Sequence, residues 1–256
     1  MISITLETAY TISISIVLLS TFLSGFELAR IPKLYIDFVS PKTHIENKYF
    51  KWMLLHVTQS FLAMVAITAF FLMDRIFFQL IFLILTGINL YSYTNRDIGK
   101  DGSDQVRLLT LLAYSICFVL PIEQGEKLSL FFSGAQVLLA YGTSGTLKLM
   151  SKYWRKGDVL AGILSTYSYG IPKIAKFIAR NPLLEKVMSY SAIAAMISVP
   201  IAFCFPQQEP LLITLGIMLG FHFTTSILMG LNDFLYTFPL AYPGIILLHN
   251  FVHQLV

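Results

Sequence analysis

Read for charge, the chain divides into apolar windows separated by polar loops. Windows nearly free of Asp, Glu, Lys and Arg run from Thr8 to Phe26, Trp52 to Met73, Ile76 to Asn95, Asp104 to Ile122, Leu128 to Leu147, Val187 to Phe205 and Pro210 to Asn232. Each is close to the length, about 20 residues, that an α-helix needs to cross the hydrocarbon core of a bilayer. The fourth window admits Asp104 and Arg107 in its first turn. A further stretch, Phe234 to Val252, has the length but holds Pro239, Pro243 and His249, and reads as a kinked span or a re-entrant segment. The pattern predicts an all-α, polytopic helical membrane protein with seven or eight transmembrane helices. It forms a single integral membrane domain over residues 1–256, with one long cytoplasmic or interfacial loop at about 148–186.

Composition excludes a soluble globular domain: of 256 residues, 56% are hydrophobic and only 12% charged. The net charge of +4 matters less than its distribution. Of the 18 Lys and Arg, five fall between Glu27 and Lys51, three between Arg96 and Arg107, and eight between Lys148 and Lys186. Only Arg75 and Lys127 lie in the alternate loops. By the positive-inside rule, the first, third and fifth loops are cytoplasmic and the N-terminus lies outside a cell membrane. The partner implied is the lipid bilayer, not nucleic acid. The N-terminus shows no basic n-region and no cleavage site, so its first apolar run reads as a retained span. Cys117 and Cys204 lie inside apolar windows in no metal-type spacing and read as buried, inert thiols, with no disulfide expected. Within the fifth loop, VLAGILSTYSYGIPKIAKFIAR mixes apolar and aromatic residues with Lys173, Lys176 and Arg180, as a segment lying in the headgroup layer does.

Candidate chemistry centres on Leu128 to Asp158. The helix over Leu128 to Leu147 is followed directly by Lys148, and Gln136, Ala140, Ser144 and Lys148 share one face at intervals of four. Lipid does not reward such a stripe, so another helix or a ligand is expected to face it. Lys148 itself reads either as a terminal lysine snorkelling to the headgroups or as a working group, with Tyr153 and Trp154 as interfacial aromatics. His222, near the middle of its window, is a second ionisable group inside the membrane, followed at helical spacing by Thr225, Ser226, Met229 and Asp233. It reads either as a neutral histidine bonded between helices or as the partner of the lysine stripe. If the two helices face one another, Lys148 and His222 border one elongated cavity without touching, with Gln136, Ser144, Thr225 and Ser226 supplying hydrogen bonds. His56, Gln59 and Ser60 read as packing polarity. In the third loop, Asp101 and Gly102 make a turn, and Ser103 or Asp104 is expected to cap the next helix. Asp101 and Asp104 have no third ligand at a suitable spacing, so no metal site is expected. There is no Walker loop, no G-x-G-x-x-G and no G-x-S-x-G, which removes nucleotide binding and serine hydrolysis from consideration.

Three stretches together resemble the horizontally transferred transmembrane family, the group related to vitamin K-dependent gamma-carboxylase, and within it the sporulation-delaying protein B branch. The first is Ser144-Gly145-Thr146-Leu147-Lys148-Leu149 followed by Trp154 and Gly157, similar to a segment whose lysine is the proposed base of the carboxylases. The second is Gly220-Phe221-His222 running to Met229-Gly230-Leu231-Asn232-Asp233-Phe234. The third is Asp101-Gly102-Ser103-Asp104-Gln105, similar to the DGGDQ segment of the sporulation-delaying branch with Ser103 in place of its second glycine. With the two polar stripes, the resemblance leads to the expectation of Lys148 and His222 as catalytic residues, of Gln136, Ser144, Thr225 and Ser226 from the stripes and Trp154 from the motif around a substrate, and of Asp101, Asp104, Gly145, Gly157 and Asp233 as motif residues. It implies maturation or production of a secreted antimicrobial or toxic peptide, with a small partner protein and a precursor peptide. Two other readings stay open: a stand-alone membrane enzyme using a quinone-like or lipid cofactor, and a non-catalytic immunity or transport protein.

Overall fold

The computed structural model describes residues 4–30, 45–96, 100–166 and 171–254. Most of the first basic loop, and short pieces of the third and fifth, lie outside the described residues. All regular structure among the described residues is helical.

The chain opens with two long antiparallel helices, α1 (Leu6–Arg30) and α2 (Ile45–Leu72). Tyr10 meets Phe70 at one end of this pair, and the hydroxyl of Ser60 donates to the Phe22 carbonyl at 2.9 Å near the other. The polar set His56, Gln59 and Ser60 is buried against α1, where Gln59 Nε2 donates to the Thr21 carbonyl at 3.2 Å. α3 (Arg75–Asn95) starts on Asp74, whose side chain accepts from the Phe77 N–H. α4 (Gly102–Cys117) starts on a capping box in which Asp101 accepts from the Ser103 and Asp104 N–H groups. The N-cap is therefore Asp101, not Ser103 or Asp104, because Asp101 is the last residue still in extended backbone.

α4 ends five residues before Ile122, where its apolar window was expected to run out. The reason is Pro121, which takes the N-cap position of α5 (Ile122–Met150). α5 packs against α1 and α4 and, at 29 residues, is the longest helix described. After it come three short helices, α6 (Lys152–Lys156), α7 (Leu160–Ser165) and α8 (Pro172–Ala179). Gly157 caps α6 with φ 74°, and a Cβ there would stand 2.5 Å from the Lys186 backbone, so both backbone and space require glycine. α9 (Pro182–Phe203) and α10 (Gln208–Met229) form a second long pair. The last stretch is α11 (Asn232–Thr237), a 3-10 turn at Phe238–Ala241, and α12 (Tyr242–Gln254). Pro239 and Pro243 each remove a backbone donor, which is why the helix breaks there.

Among the described residues, six stretches are long and apolar enough to cross a membrane: α1, Phe50–Leu72 of α2, α3, α9, α10 and the composite Asn232–Gln254. Large apolar side chains point outward from them, as at Phe61, Ile76, Leu183 and Ile213, which suits a surface covered by lipid tails. α4 is too short for that group. α5 has the length but also a polar stripe, and it is the hub of the bundle, also touching α9 and α12. It comes into backbone contact with α12: a Cβ on Gly134 would lie 2.7 Å from the Gly244 carbonyl carbon, and one on Gly244 would strike the Leu130 carbonyl oxygen. Two backbones touch at that crossing. Nearby, the Tyr114 hydroxyl donates to Ser13 Oγ at 2.7 Å, and Ser13 donates to the Leu240 carbonyl at 2.6 Å, which ties α4, α1 and the 3-10 turn together.

Candidate functional site

α4, α5, α9 and α10 border a half-open cavity of about 940 Å³, with α6 and α7 over one end and α11 along one side. Apolar side chains such as Leu109, Leu139, Met196, Ile217 and Phe221 make most of its wall. Polar groups enter it at two depths. At the C-terminal end of α5, Lys148 Nζ donates to Ser144 Oγ at 2.8 Å and lies 5.2 Å from the centre of the Trp154 ring. Among the described residues, no carboxylate stands within ion-pair distance of it.

Tyr141 lies two helical turns deeper, about 10 Å along α5 from Lys148. Its hydroxyl is 2.9 Å from His222 Nε2 and 3.2 Å from the Tyr242 hydroxyl, so α5, α10 and α12 meet through three polar side chains. His222 is 2% exposed and sits 4.7 Å, ring to ring, from Phe238 of the 3-10 turn. Its Nδ1 is buried and has no hydrogen-bond partner among the described residues. Either Tyr141 donates to a bare Nε2 and Nδ1–H is the free donor, or Nε2–H donates to the phenol and Nδ1 is a free acceptor. Gln136 donates from Nε2 to the Val106 carbonyl at 3.4 Å, while its buried Oε1 has no partner either.

Of the residues expected around the site, Lys148, His222, Gln136, Ser144, Thr225 and Trp154 line this one cavity. Thr225 directs its hydroxyl to the carbonyl of His222, on its own helix, at 3.0 Å. Ser226 is not among the lining residues: it donates to Asn232 Oδ1 at 2.5 Å, and Asn232 Nδ2 donates on to Glu27 at 3.2 Å. One residue along a helix turns a side chain by about 100°, which carries Ser226 off the face that Thr225 occupies. Gly145 serves the wall: a Cβ there would lie 2.6 Å from Ile197 Cγ1, so glycine lets α9 close on α5.

The acidic motif residues form a separate constellation. Arg107, 2% exposed, donates from Nη2 to Asp104 Oδ1 at 2.6 Å and from Nη1 to both oxygens of Asp233 at 2.7 Å. Arg96 pairs with the other oxygen of Asp104, and Ser103 joins Asp101 to Asp233. Asp101 stands at the edge of this network, and burial holds its carboxyl above the usual carboxylate range against the opposing hydrogen bond from Ser103. The network fastens the start of α4 to α11 and the end of α3. Two things escaped the sequence: Arg107 as the link between Asp104 and Asp233, and Tyr141 as the partner of His222. The i,i+3 spacing of Asp104 and Arg107 was a signal for the first. For the second there was only the seven-residue interval from Tyr141 to Lys148, which puts them on one face two turns apart.

Fold and cavity define a class, a multi-helical protein of membrane type with a mostly apolar, half-open cavity between its helices. Comparison of the chain with protein-family models, with curated proteins and with solved structures finds no match.

Proposed function

We propose that this chain works in the production or maturation of an exported antimicrobial peptide, and that the cavity is its working site. One observation carries the reading. The three stretches on which the family resemblance rests are far apart in sequence, yet each contributes to the wall of the same cavity: Gly102 and Gln105, then Ser144, Lys148 and Trp154, then His222, Met229 and Phe234. Residues that served only packing would have no reason to converge on an open space. In this reading Lys148 and the Tyr141–His222 pair are the proton-handling groups, and a small partner protein and the precursor peptide meet the chain at the membrane. Replacing Lys148 or His222 by Ala in the native host abolishes secreted toxin activity while the protein still inserts, and Lys152→Ala does not. Full activity of a well-inserted Lys148→Ala variant would refute the catalytic role.

The wall is apolar enough to favour a second reading, a membrane enzyme with a quinone-like or lipid cofactor. Copurification of a quinone with the detergent-solubilised protein would select it.

The topology proposed has eight passes, in which the shorter α4 and the polar-striped α5 cross within the bundle beside the six apolar stretches, with both ends outside the cell membrane. Support comes from the last stretch, which reaches both ends of the bundle. Asp233 joins Arg107 at the start of α4, whereas the ring Nε2 atoms of His249 and His253 lie 2.9 and 3.0 Å from the carbonyls of Phe205 and Phe203 near the α9–α10 turn. A cysteine at exposed Gln124 is labelled by an impermeant thiol reagent in intact cells, and one at exposed Lys156 only after permeabilisation. The opposite pattern would invert the orientation.

A further inference from the structure

We infer that the cavity binds a single-tailed anionic amphiphile, its carboxylate or phosphate head on Lys148 and its tail along the apolar wall. This deepens the proposed function by naming a ligand class, and it rests on the same cavity being the working site. Among the described residues lining the cavity, Lys148 is the only charged one. Its polar and aromatic contacts among the described residues are a hydroxyl and a ring face, neither of which neutralises an ammonium. A cation drawn into a low-dielectric space gains most from an anion that brings its own hydrogen-bond acceptors. The head arrives from a basic surface, because α6, which carries Trp154 over the cavity, exposes Lys152, Arg155 and Lys156 on its other sides.

The rest of the wall selects the tail. Among the described residues, the buried lining atoms without a hydrogen-bond partner are His222 Nδ1 and Gln136 Oε1, and the exposed side chains of Gln105 and Ser191 add the only other unbonded amide and hydroxyl of that wall. An extended peptide would bring a backbone donor and acceptor with every residue and would find too few partners here. An acyl or isoprenoid chain brings none. At about 940 Å³ the space sits at the upper end of what one small ligand fills, which suits one tail and one head.

The chain has two tryptophans, Trp52 and Trp154, so a Trp52→Phe protein in detergent reports from the cavity through Trp154 alone. It is titrated with stearate brominated along its tail, with the methyl ester of that acid, and with a lysophosphatidate carrying the same tail. Saturable quenching is expected with the carboxylate, the phosphate or both, and which binds tighter identifies the natural head. The ester binds at least about tenfold more weakly. Lys148→Gln removes the preference for acid over ester, and Lys148→Arg keeps it. Equal binding of acid and ester, absence of saturable quenching, or displacement of the probe by an uncharged apolar peptide as readily as by unlabelled stearate would each overturn the inference. The toxin assay is independent. Acid preference with unaltered toxin on Lys148→Ala keeps the ligand and removes the peptide-maturation role, and lost toxin without acid preference does the reverse.

Discussion

Two of the polar constellations in this bundle handle charge in opposite ways. At the start of α4, Arg107 is held between Asp104 and Asp233, and Arg96 adds a second cation to Asp104, so each of these charges has an opposite charge in direct contact. In the cavity, among the described residues, Lys148 has a hydroxyl and a ring, and His222 has one phenol on Nε2 and no hydrogen-bond partner on Nδ1. In the first arrangement every charge is paired, and it joins α3, α4 and α11. The second is incomplete and borders open space. Saturated polarity holds helices together, whereas unsaturated polarity beside a cavity is a place to receive something.

Mutations that remove one member from each group separate these roles. The largest effect on stability is expected from Asp104→Ala, which leaves Arg107 and Arg96 without their shared carboxylate; breaking one side of a buried pair costs about 3–5 kcal/mol. The unfolding midpoint in mixed micelles measures it, and a loss below about 1 kcal/mol would show the network to be ornamental. Tyr141→Phe strips His222 of its one side-chain hydrogen bond and should cost about 1–3 kcal/mol in the same measurement. Lys148→Gln should change stability by less than about 1 kcal/mol, since no ion pair is lost, while activity disappears. A large loss of stability would move Lys148 into the structural group.

The smallest effect concerns Asp101. Because burial raises its carboxyl, the protonated form favours the fold: that contribution is complete below about pH 4 and is lost as pH rises through the raised value. Asp101→Asn keeps the N-cap and stays within about 0.5 kcal/mol of the parent. It also removes the titration, so the stability of the variant relative to the parent should improve as pH rises out of the carboxylate range. An unchanged difference across that range would place Asp101 outside the network.

The positions of the long helices were legible in the chain because crossing a bilayer imposes a length and an apolarity that local composition reports directly. The start of α4 was legible to within a few residues for a similar reason, since capping is a matter of neighbouring groups. The Lys148 stripe and His222 were visible as polarity out of place, and the motif spacing suggested that they belong together. What faces what was not visible. That Tyr141 completes His222, that Arg107 claims Asp233 from the far end of the chain, and that Ser226 turns away to Asn232 all depend on how helices rotate about their axes when they pack. Rotation is decided by contacts such as Gly134 against Gly244 and Gly145 against Ile197, where small residues let two backbones close, and one sequence carries no record of which glycine meets which neighbour. The cavity belongs to the tertiary structure for the same reason: it is the space that those close contacts leave open between α5, α9 and α10.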